Sequence, residues 1–514
     1  MYSSAKRKSG PSRSAPPTIE RMEDRILFAG WATVDDVTSA STCRIGGIAS
    51  DATGNVFAVG TFTDNAGFEH GIVHEKAAGA TTWAPLLDQQ IPQGNVEFVR
   101  VAVDPSGELY ISAETNAGGA LFSFTPGQSS AQLIDQMPNG FCGTVSVDSA
   151  GNLFAGGMMR ENTTVQGTGN KTTTIVANHW VVHERVAGQS TFKTVDDFLA
   201  NNASSTIRAI ICVGSGPSEA IYEVGVGTAG ATHTYVDDEH WIVRKSADAG
   251  ATWTTIDDTY YGTGTASAYG SDASGATVDS KGNLYVAGAV RVRTVTGGTA
   301  RKPVYTVSSY LVVKKTSDGG ASWTTDALIP SNAVTTIMGV GTDAAGNVYV
   351  ADTDASASGY HGVVRSNAGG AWNVVDDFQL AQGHDTSLYA FARDPAGNLY
   401  VAGTAKDSAN ASHGFVRSQP AAPTNLTASP DTVLPSSQIN LSWTTAGSDE
   451  TGFAVYRSTD GVNFTLLGTV DASITSYSDG GLDAGTKYYY YVLTLLNSDG
   501  MSAPSGTASS TTSV

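Results

Sequence analysis

The sequence predicts an all-β protein, on its composition and on a short repeat. The chain has 514 residues, of which 58 are glycine, and only 15% are charged. That mixture favours short strands joined by many turns. A decapeptide of the form D-x-x-G-[NE], followed by an apolar run, occurs six times, beginning at Asp51, Asp104, Asp148, Asp279, Asp343 and Asp394. A degenerate seventh copy, GPSEAIYEVG at 216–225, lies in the widest gap between copies.

Each decapeptide predicts a tight turn that leads into a buried strand. The leading Asp can accept local backbone N–H groups, and the Gly three residues later tolerates positive φ. In the run Leu284 to Ala287 both strand faces are apolar, which is typical of a strand between two neighbouring sheets. Sheets stacked radially around an axis provide that environment, so the repeat predicts a seven-bladed β-propeller over residues 31–418.

A second unit follows each decapeptide and gives every blade four strands. It consists of an apolar run, a polar turn and another strand, as in His240 to Asp258 and Tyr310 to Ala327. The seventh unit ends at Ser418, before its fourth strand. Fourth strands elsewhere read TFKTVDDF or AWNVVDDF, and a similar segment, WATVDD, begins at Trp31. We therefore expect the N-terminal strand to complete the last blade and close the ring.

Two of the polar turns resemble the Asp-box, a hairpin signature of sialidase-like propellers. Their matching residues are Ser246, Asp248, Gly250 and Trp253 in one turn and Thr316, Asp318, Gly320 and Trp323 in the other. In those families the motif lies away from any active centre, so the resemblance implies a structural role for these residues. The region 31–418 as a whole also resembles bacterial β-propeller repeat proteins.

The two ends of the chain differ from the repeats. Residues 423–514 resemble a fibronectin type III domain, in which Trp443 would be the buried core tryptophan and Leu482 and Tyr488 would form the tyrosine corner. Residues 419–422 are predicted to be a linker. Residues 1–30 form a basic, Pro/Ser-rich leader, and its segment Met22 to Leu27 resembles the LEPR-x-LL motif of large bacterial surface proteins. The alternative is a disordered leader without that role.

Charge and cysteine content exclude several classes of function. The net charge of −19 opposes binding to nucleic acid and to anionic membranes. No apolar stretch reaches the roughly 18 residues of a membrane span. The three cysteines, Cys43, Cys142 and Cys212, form no C-x-x-C pair, and at most one disulfide is possible. We expect an extracellular or cell-surface monomer without metal or cofactor.

Recurring His and Asp residues suggest sites that geometry argues against. A histidine occupies equivalent positions in five blades, namely His70, His179, His240, His361 and His413. Third strands lie too far apart for these residues to share one metal, so we interpret them as structural repetition. The doublets Asp35/Asp36, Asp196/Asp197, Asp257/Asp258 and Asp376/Asp377 are not catalytic pairs, because adjacent strand residues point to opposite faces. We expect them to protect exposed outer edges.

The strongest candidate for a site is a rim of three long connections on consecutive blades, at 160–179, 227–240 and 291–309. The rim residues that we predict to bind a glycan or protein ligand are Arg291, Arg293, Arg301, Lys302 and Tyr235. The predicted function is therefore non-catalytic binding or adhesion, with the fibronectin domain as spacer. The alternative is an Asp-box-type glycoside hydrolase, with Asp237, Asp238 and Glu239 as acid/base candidates. Repeat drift without a ligand also remains open.

Overall fold

The computed structural model describes residues 31–39, 41–91, 94–166, 172–200, 204–214, 219–228, 239–262, 266–299, 302–331, 337, 339–356, 359–368, 370–445, 450–496 and 500–514. Within these ranges the regular structure consists of β-strands, as predicted. No helix that is long and apolar enough to cross a bilayer occurs in the described part of the chain.

Residues 43–378 form six antiparallel sheets, each built from four consecutive strands. Sheet 1 comprises β2 (Cys43–Ser50), β3 (Val56–Thr63), β4 (Glu69–Lys76) and β5 (Ala84–Gln89). Sheet 2 comprises β6 (Val96–Val103), β7 (Leu109–Thr115), β8 (Gly118–Phe124) and β9 (Gln132–Pro138). Sheet 3 comprises β10 (Gly140–Val147), β11 (Leu153–Gln166), β12 (Thr172–Arg185) and β13 (Lys193–Phe198).

The next three sheets repeat this order. Sheet 4 comprises β14 (Ser205–Val213), β15 (Ala220–Thr228), β16 (Glu239–Ser246) and β17 (Thr254–Tyr260). Sheet 5 comprises β18 (Ala266–Val278), β19 (Leu284–Thr299), β20 (Lys302–Thr316) and β21 (Thr324–Ser331). Sheet 6 comprises β22 (Gly339–Thr342), β23 (Val348–Ser356), β24 (Gly359–Ser366) and β25 (Asn373–Phe378). The degenerate repeat thus supplies β15, in the same place as the other decapeptide strands.

Sheet 7 is built from both ends of this region. Its strands β26 (Thr386–Arg393), β27 (Leu399–Lys406) and β28 (Ser412–Gln419) are consecutive, and β1 (Ala32–Ser39) is the fourth. β1 runs antiparallel to β28, with Ala32 opposite Ser418 and Ser39 opposite Ser412. The predicted pairing of the N-terminal strand with the last unit is confirmed.

The D-x-x-G-N turns join the first and second strands and explain the repeat. In the sixth sheet Asp343 Oδ1 accepts the N–H groups of Ala345 and Asn347, both at 2.9 Å. The Asn347 side-chain amide donates to Asp343 Oδ2 at 2.7 Å, and Gly346 has φ 86°. One carboxylate therefore organises the whole turn, and glycine fills the position that requires positive φ.

Neighbouring sheets pack face to face. The first strand of each sheet contacts the first strand of the next, and β26 of sheet 7 contacts β2 of sheet 1. Apolar clusters fill the spaces between sheets, for example one that joins Phe57 of sheet 1 to Phe98 and Phe122 of sheet 2. Both faces of the second strands are buried, as the apolar runs predict.

The C-terminal region is a sandwich of two sheets. One contains β29 (Thr424–Pro430), β30 (Gln438–Thr444) and β33 (Ser476–Gly480); the other contains β31 (Gly452–Ser458), β32 (Thr465–Asp471), β34 (Lys487–Leu495) and β35 (Ala508–Thr511). Trp443, Leu482 and Tyr488 are buried in one cluster, and the Tyr488 hydroxyl accepts the Asp483 N–H at 3.1 Å. These are the core tryptophan and the tyrosine corner that the resemblance implied.

Ala421 joins the sandwich to sheet 7 through its backbone. Its N–H donates to Asn398 Oδ1 at 2.8 Å, and its carbonyl accepts the Thr494 hydroxyl at 2.8 Å. Asn398 belongs to the last decapeptide and Thr494 to β34. The predicted linker is therefore held from both sides by hydrogen bonds.

Candidate functional site

Two of the predicted long loops are extended β-hairpins, so the prediction of loops there was wrong. β11 and β12 remain paired as far as Gln166 opposite Thr172. β19 and β20 remain paired as far as Thr299 opposite Lys302. The second and third strands of sheets 1 and 2 have only seven or eight residues each, whereas β19 and β20 have 16 and 15. Both hairpins therefore extend well beyond their sheets.

The hairpin of sheet 5 projects beyond its outer neighbour. β21 ends at Ser331, opposite Ser309 of β20, and the pairing of β18 with β19 ends at Thr294. We call the extension, Val292–Thr299 paired with Lys302–Ser308, the fifth-sheet arm. Along its β20 side no described strand pairs with residues 302–308.

One face of the fifth-sheet arm combines basic and apolar side chains. Residues directly opposite each other in an antiparallel pair share a face, and here Arg293 lies opposite Val307 and Val295 lies opposite Tyr305. Val295, Tyr305 and Val307 are 43%, 40% and 48% exposed. The Arg293 guanidinium carbon lies 4.2 Å from the Tyr305 ring centroid. Large apolar side chains are thus presented to solvent beside a cation, which is unusual outside an interface.

A charged cluster lies at the base of this arm, between sheets 4 and 5. The Arg208 guanidinium binds both carboxylate oxygens of Asp272, with N–O distances of 2.9–3.1 Å. Glu239, the first residue of β16, is mostly buried beside this pair. Burial and the Asp272 charge raise the pKa of Glu239 to about 7, and the charges of Arg208 and Arg291 oppose that rise. The cluster thus includes Glu239, a predicted acid/base candidate, and lies near Arg291, a predicted ligand-binding residue.

The structure brings together part of the predicted rim. Arg291 lies near enough to Glu239 for its charge to lower the Glu239 pKa, Arg293 lies on the arm face, and Lys302 begins β20. Four predicted residues lie outside the described part of the chain: Tyr235, Asp237, Asp238 and Arg301. Sequence reasoning missed Arg208, Asp272 and Tyr305. The alternation in VYTVSS, from Val304, was a strand signal that placed Tyr305 and Val307 on one face.

Each recurring histidine binds the second Asp of a doublet, or its equivalent, on the fourth strand of its own sheet. The Nδ1–Oδ1 distances are between 2.5 and 2.8 Å for His70–Asp88, His179–Asp197, His240–Asp258, His361–Asp377 and His413–Asp36. The two sheets without the histidine have Gln136 and Leu328 in place of the acid. These contacts agree with the interpretation of structural repetition.

The first Asp of each doublet does not protect an outer edge, and that expectation was wrong. It is buried or nearly so, and it binds a cationic or histidine side chain on the third strand of the next sheet. The pairs and their distances are Asp35–His74 2.9 Å, Asp196–Arg244 2.7 Å, Asp257–Lys314 2.5 Å and Asp376–Arg417 2.8 Å, and Asp135–His183 at 2.7 Å is equivalent. Position on the pleat explains the error, because this residue faces the neighbouring sheet rather than solvent.

The two remaining interfaces use other side chains at these positions. Leu87 and Phe122 occupy them between sheets 1 and 2, where they belong to one apolar cluster. Ala327 replaces the acid in sheet 5, and Arg365 of sheet 6 instead binds Asp352 and Asp354 of its own sheet. Asp352 stands at the last position of its decapeptide, where four of the six copies have glycine.

The two turns that resemble the Asp-box are organised like the D-x-x-G-N turns. In the second, the Ser322 hydroxyl donates to Asp318 Oδ2 at 2.5 Å, and Asp318 Oδ1 accepts the Thr316 hydroxyl at 2.7 Å and the Ser322 N–H at 3.0 Å. These bonds lower the Asp318 pKa. Asp248 makes the corresponding bonds to Ser246 and Thr252 at 2.8 Å. Gly250 and Gly320 have φ of 86° and 101°. Trp323 donates to the Ile256 carbonyl of sheet 4 at 3.1 Å, whereas Trp253 packs in the cluster between sheets 3 and 4.

The described residues contain no group of three or more His, Cys, Asp or Glu side chains placed to hold a metal ion. Burial raises the pKa of the Cys43 thiol to about 11 and that of Cys212 to about 12, and the Cys142 pKa is raised further. These thiols therefore have little thiolate character at neutral pH.

Comparison with known proteins identifies the C-terminal sandwich. Residues 421–511 match the fibronectin type III domain family. A Fn3-like protein from Clostridium thermocellum is 34% identical, over 18% of this chain and 90% of that one, with a TM-score of 0.16. The pectate lyase Pel3 from Pectobacterium carotovorum is 20% identical over 18% and 28% of the two chains, with a TM-score of 0.16.

A structure described as YCF48 bound to D1 peptide covers 75% of this chain and 96% of its own. Its identity is 11% and its TM-score is 0.41. No curated protein matches the sequence.

Proposed function

We propose that this chain, whose residues 421–511 match the fibronectin type III family, is an extracellular or cell-surface binding protein. In this proposal residues 31–418 are a closed seven-bladed β-propeller, 419–422 connect it to the fibronectin domain of 423–514, and residues 1–30 are a leader of the bacterial surface type. The fifth-sheet arm binds a glycan or protein ligand, and the fibronectin domain acts as a spacer. The observation that carries the proposal is the arm face on which Val295, Tyr305 and Val307 are exposed beside the partly buried Arg293.

The propeller proposal is supported by contacts that run from each sheet to the next and back to the first. The first strands of successive sheets touch, including β26 and β2. The Asp–cation pairs follow the same order, and Asp35–His74 joins sheet 7 to sheet 1. In addition, the Arg417 guanidinium donates to the Trp31 carbonyl at 2.8 Å, which fixes β1 to the last sheet.

The choice of the arm as binding surface rests on its departure from the repeat. The hairpins of sheets 3 and 5 both connect a second strand to a third, so in the proposed ring they project from the same side. The opposite side consists of short D-x-x-G-N and Asp-box-like turns whose polar groups bond to one another. In a protein built from repeats, ligands usually bind to connections that are longer than the corresponding connections of the other repeats and that a rigid scaffold supports.

Glycoside hydrolysis remains a second candidate because of Glu239. A partly buried carboxyl with a pKa of about 7 is suited to general acid catalysis, and Asp272 is a second carboxylate beside it. Asp272, however, is held by Arg208 through two oxygens, which leaves it little capacity to act on a sugar. Binding without turnover is therefore the preferred proposal.

The experiment is a screen of glycans, polysaccharides and displayed peptides, run beside an assay of reducing-sugar release. The test variant replaces Val292–Ser308 by an Asn-Gly turn, which can close a two-residue hairpin. The matched control shortens the third-sheet hairpin in the same way, by replacing residues 161–177. We expect at least one ligand that binds to the wild type and to the control but not to the arm variant. We expect no hydrolysis of that ligand.

Ligands that bind all three proteins equally would overturn the assignment to the arm. Sugar release that Glu239→Gln abolishes would favour the hydrolase. Replacing Arg293 by Ser should weaken a ligand of the arm, and the loss of its contact with the Tyr305 ring should lower stability by only about 1 kcal/mol.

A further inference from the structure

We propose that the ligand of the fifth-sheet arm is a protein segment in extended conformation, rich in acidic and apolar residues, that pairs with β20 as an added strand. This inference rests on the proposed function of the arm and names its class of partner. Two observations carry it: a strand edge with which no described strand pairs, and a basic and apolar face beside that edge.

The outer edge of β20 is long enough to receive a strand. Beyond Ser309 no described strand pairs with the outer side of β20, so residues 302–308 offer seven positions there. Pro330, which has no N–H, lies opposite Tyr310. Tyr310 and Pro330 therefore cannot exchange both backbone hydrogen bonds, so the hydrogen-bonded pairs between β20 and β21 are the alternate ones, such as Ser309 with Ser331. Backbone groups alternate in direction along a strand. Those of Val307 and Tyr305 therefore point to the outer edge of β20, as those of Ser309 do.

The devices that usually protect such an edge are concentrated at the tip of the arm. Lys302 and Pro303 begin β20, and the register shifts between Val295 and Gly297. Charges, prolines and bulges are common means of blocking edge pairing. From Val304 to Ser308 the strand carries neither a charge nor a proline, so this section remains open to an added strand.

The side chains of this section favour a polypeptide over a sugar. Val304, Tyr305 and Val307 are 57%, 40% and 48% exposed, and aliphatic side chains are matched better by apolar residues of a protein than by hydroxyl groups. One face of the Tyr305 ring already lies against the Arg293 guanidinium, at 4.2 Å, which reduces its use as a stacking platform for a sugar ring. Tyr and Arg are also the residues enriched at the energetic centres of protein interfaces.

Charge indicates an acidic partner rather than a second copy of the same arm. Arg293 lies on the arm face and Arg291 at its base, within a chain of net charge −19. Two copies that paired edge to edge through this section would bring two chains of net charge −19 together, which is unfavourable. An acidic strand would place carboxylates beside them, while its backbone groups would bond to β20 and its apolar residues would cover Val304 and Val307.

The test is selection from a displayed library of random twelve-residue peptides on the full-length protein, with counter-selection against the variant that lacks Val292–Ser308. We expect arm-dependent peptides that are rich in both acidic and apolar residues. N-methylation of alternate peptide amides should abolish binding, and hydrogen exchange of residues 302–308 should slow at least tenfold in the complex. Arg293→Glu should weaken binding at least tenfold, and a lysine-substituted version of the peptide should bind Arg293→Glu better than the wild type.

Lys281→Glu is the matched control, because this exposed lysine lies in the D-x-x-G-N turn of the same sheet, and it should leave binding unchanged. Failure to enrich arm-dependent peptides overturns the inference. The inference is also overturned if N-methylated peptides bind as well as unmethylated ones, or if the wild type prefers basic peptides. If polysaccharides bind the arm and peptides do not, only this inference fails; if nothing binds the arm, the proposed function fails with it.

Discussion

Single residues in the turns show how local chemistry determines the repeat. In five of the six turns the leading Asp binds groups two and four residues ahead, and Asp394 binds Asn398 four residues ahead. The motif can therefore be read without knowledge of distant contacts. Gly346 and Gly397 adopt φ of 86° and 94°. In this region a β-branched residue is strongly disfavoured.

Gly346→Val should therefore lower the free energy of unfolding by about 1–3 kcal/mol, the usual cost of a strained backbone position. Its Cβ would also approach the Ser280 hydroxyl at 3.1 Å. Gly297→Val is the control, because Gly297 has no positive φ and no atom within 4 Å of an added Cβ. Equal denaturant midpoints for the two variants would show that the turn geometry is wrong.

Glu239 provides a second test at the residue scale, through pH. Its pKa is raised from 4.5 to about 7 in the folded protein, mainly by burial. Between these values the folded state binds a proton that the unfolded state has lost, so stability falls as pH rises through this window. Glu239→Gln does not titrate. The wild type should therefore lose stability relative to Glu239→Gln from pH 4.5 to 7, measured by urea unfolding, and a constant difference would contradict the burial of Glu239.

The sequence predicted some strands and turns correctly and missed others, for physical reasons. The decapeptide turns, the four strands of a sheet and the N-terminal fourth strand followed from short-range patterns. The fifth-sheet arm was predicted as a loop because GGTARKP between its strands carries Gly and Pro, although VYTVSS alternates as a strand does. The inter-sheet pairs could not be read from the sequence, because Asp257 and Lys314 are 57 residues apart and only the packing of sheets brings them together.

The ion pairs between sheets can be tested by replacing one of them with the kind of apolar pair that occupies the same positions between sheets 1 and 2. Lys314→Phe leaves Asp257 buried without its partner and should cost about 3–5 kcal/mol. Adding Asp257→Leu recreates the Leu87 and Phe122 arrangement found between sheets 1 and 2, and it should restore most of that loss. Unfolding in guanidinium chloride measures both. A double variant no more stable than Lys314→Phe would show that the two positions are not coupled.

For the whole molecule, the same contacts that order the sheets also make a rigid support for the arm. The Asp–cation pairs and apolar clusters lie between sheets, and Ala421 ties the fibronectin domain to sheet 7. A protruding hairpin with an exposed apolar face can then be held away from the body of the protein. The proposal of a surface binding protein depends on that support, and hence on the ring being closed.

The most direct test of closure is the thermal unfolding of two truncated proteins, one that lacks residues 1–30 and one that lacks residues 1–39. The second truncation also deletes β1, which pairs with β28 along its length. His74 then loses its partner Asp35, and Arg417 loses its hydrogen bond to the Trp31 carbonyl. We predict that the first truncation melts as the full-length protein does. The second should melt about 4–6 °C lower, as a loss of about 3–5 kcal/mol implies for a unit of this size. Equal melting temperatures for the two truncations would contradict a ring closed by the N-terminal strand.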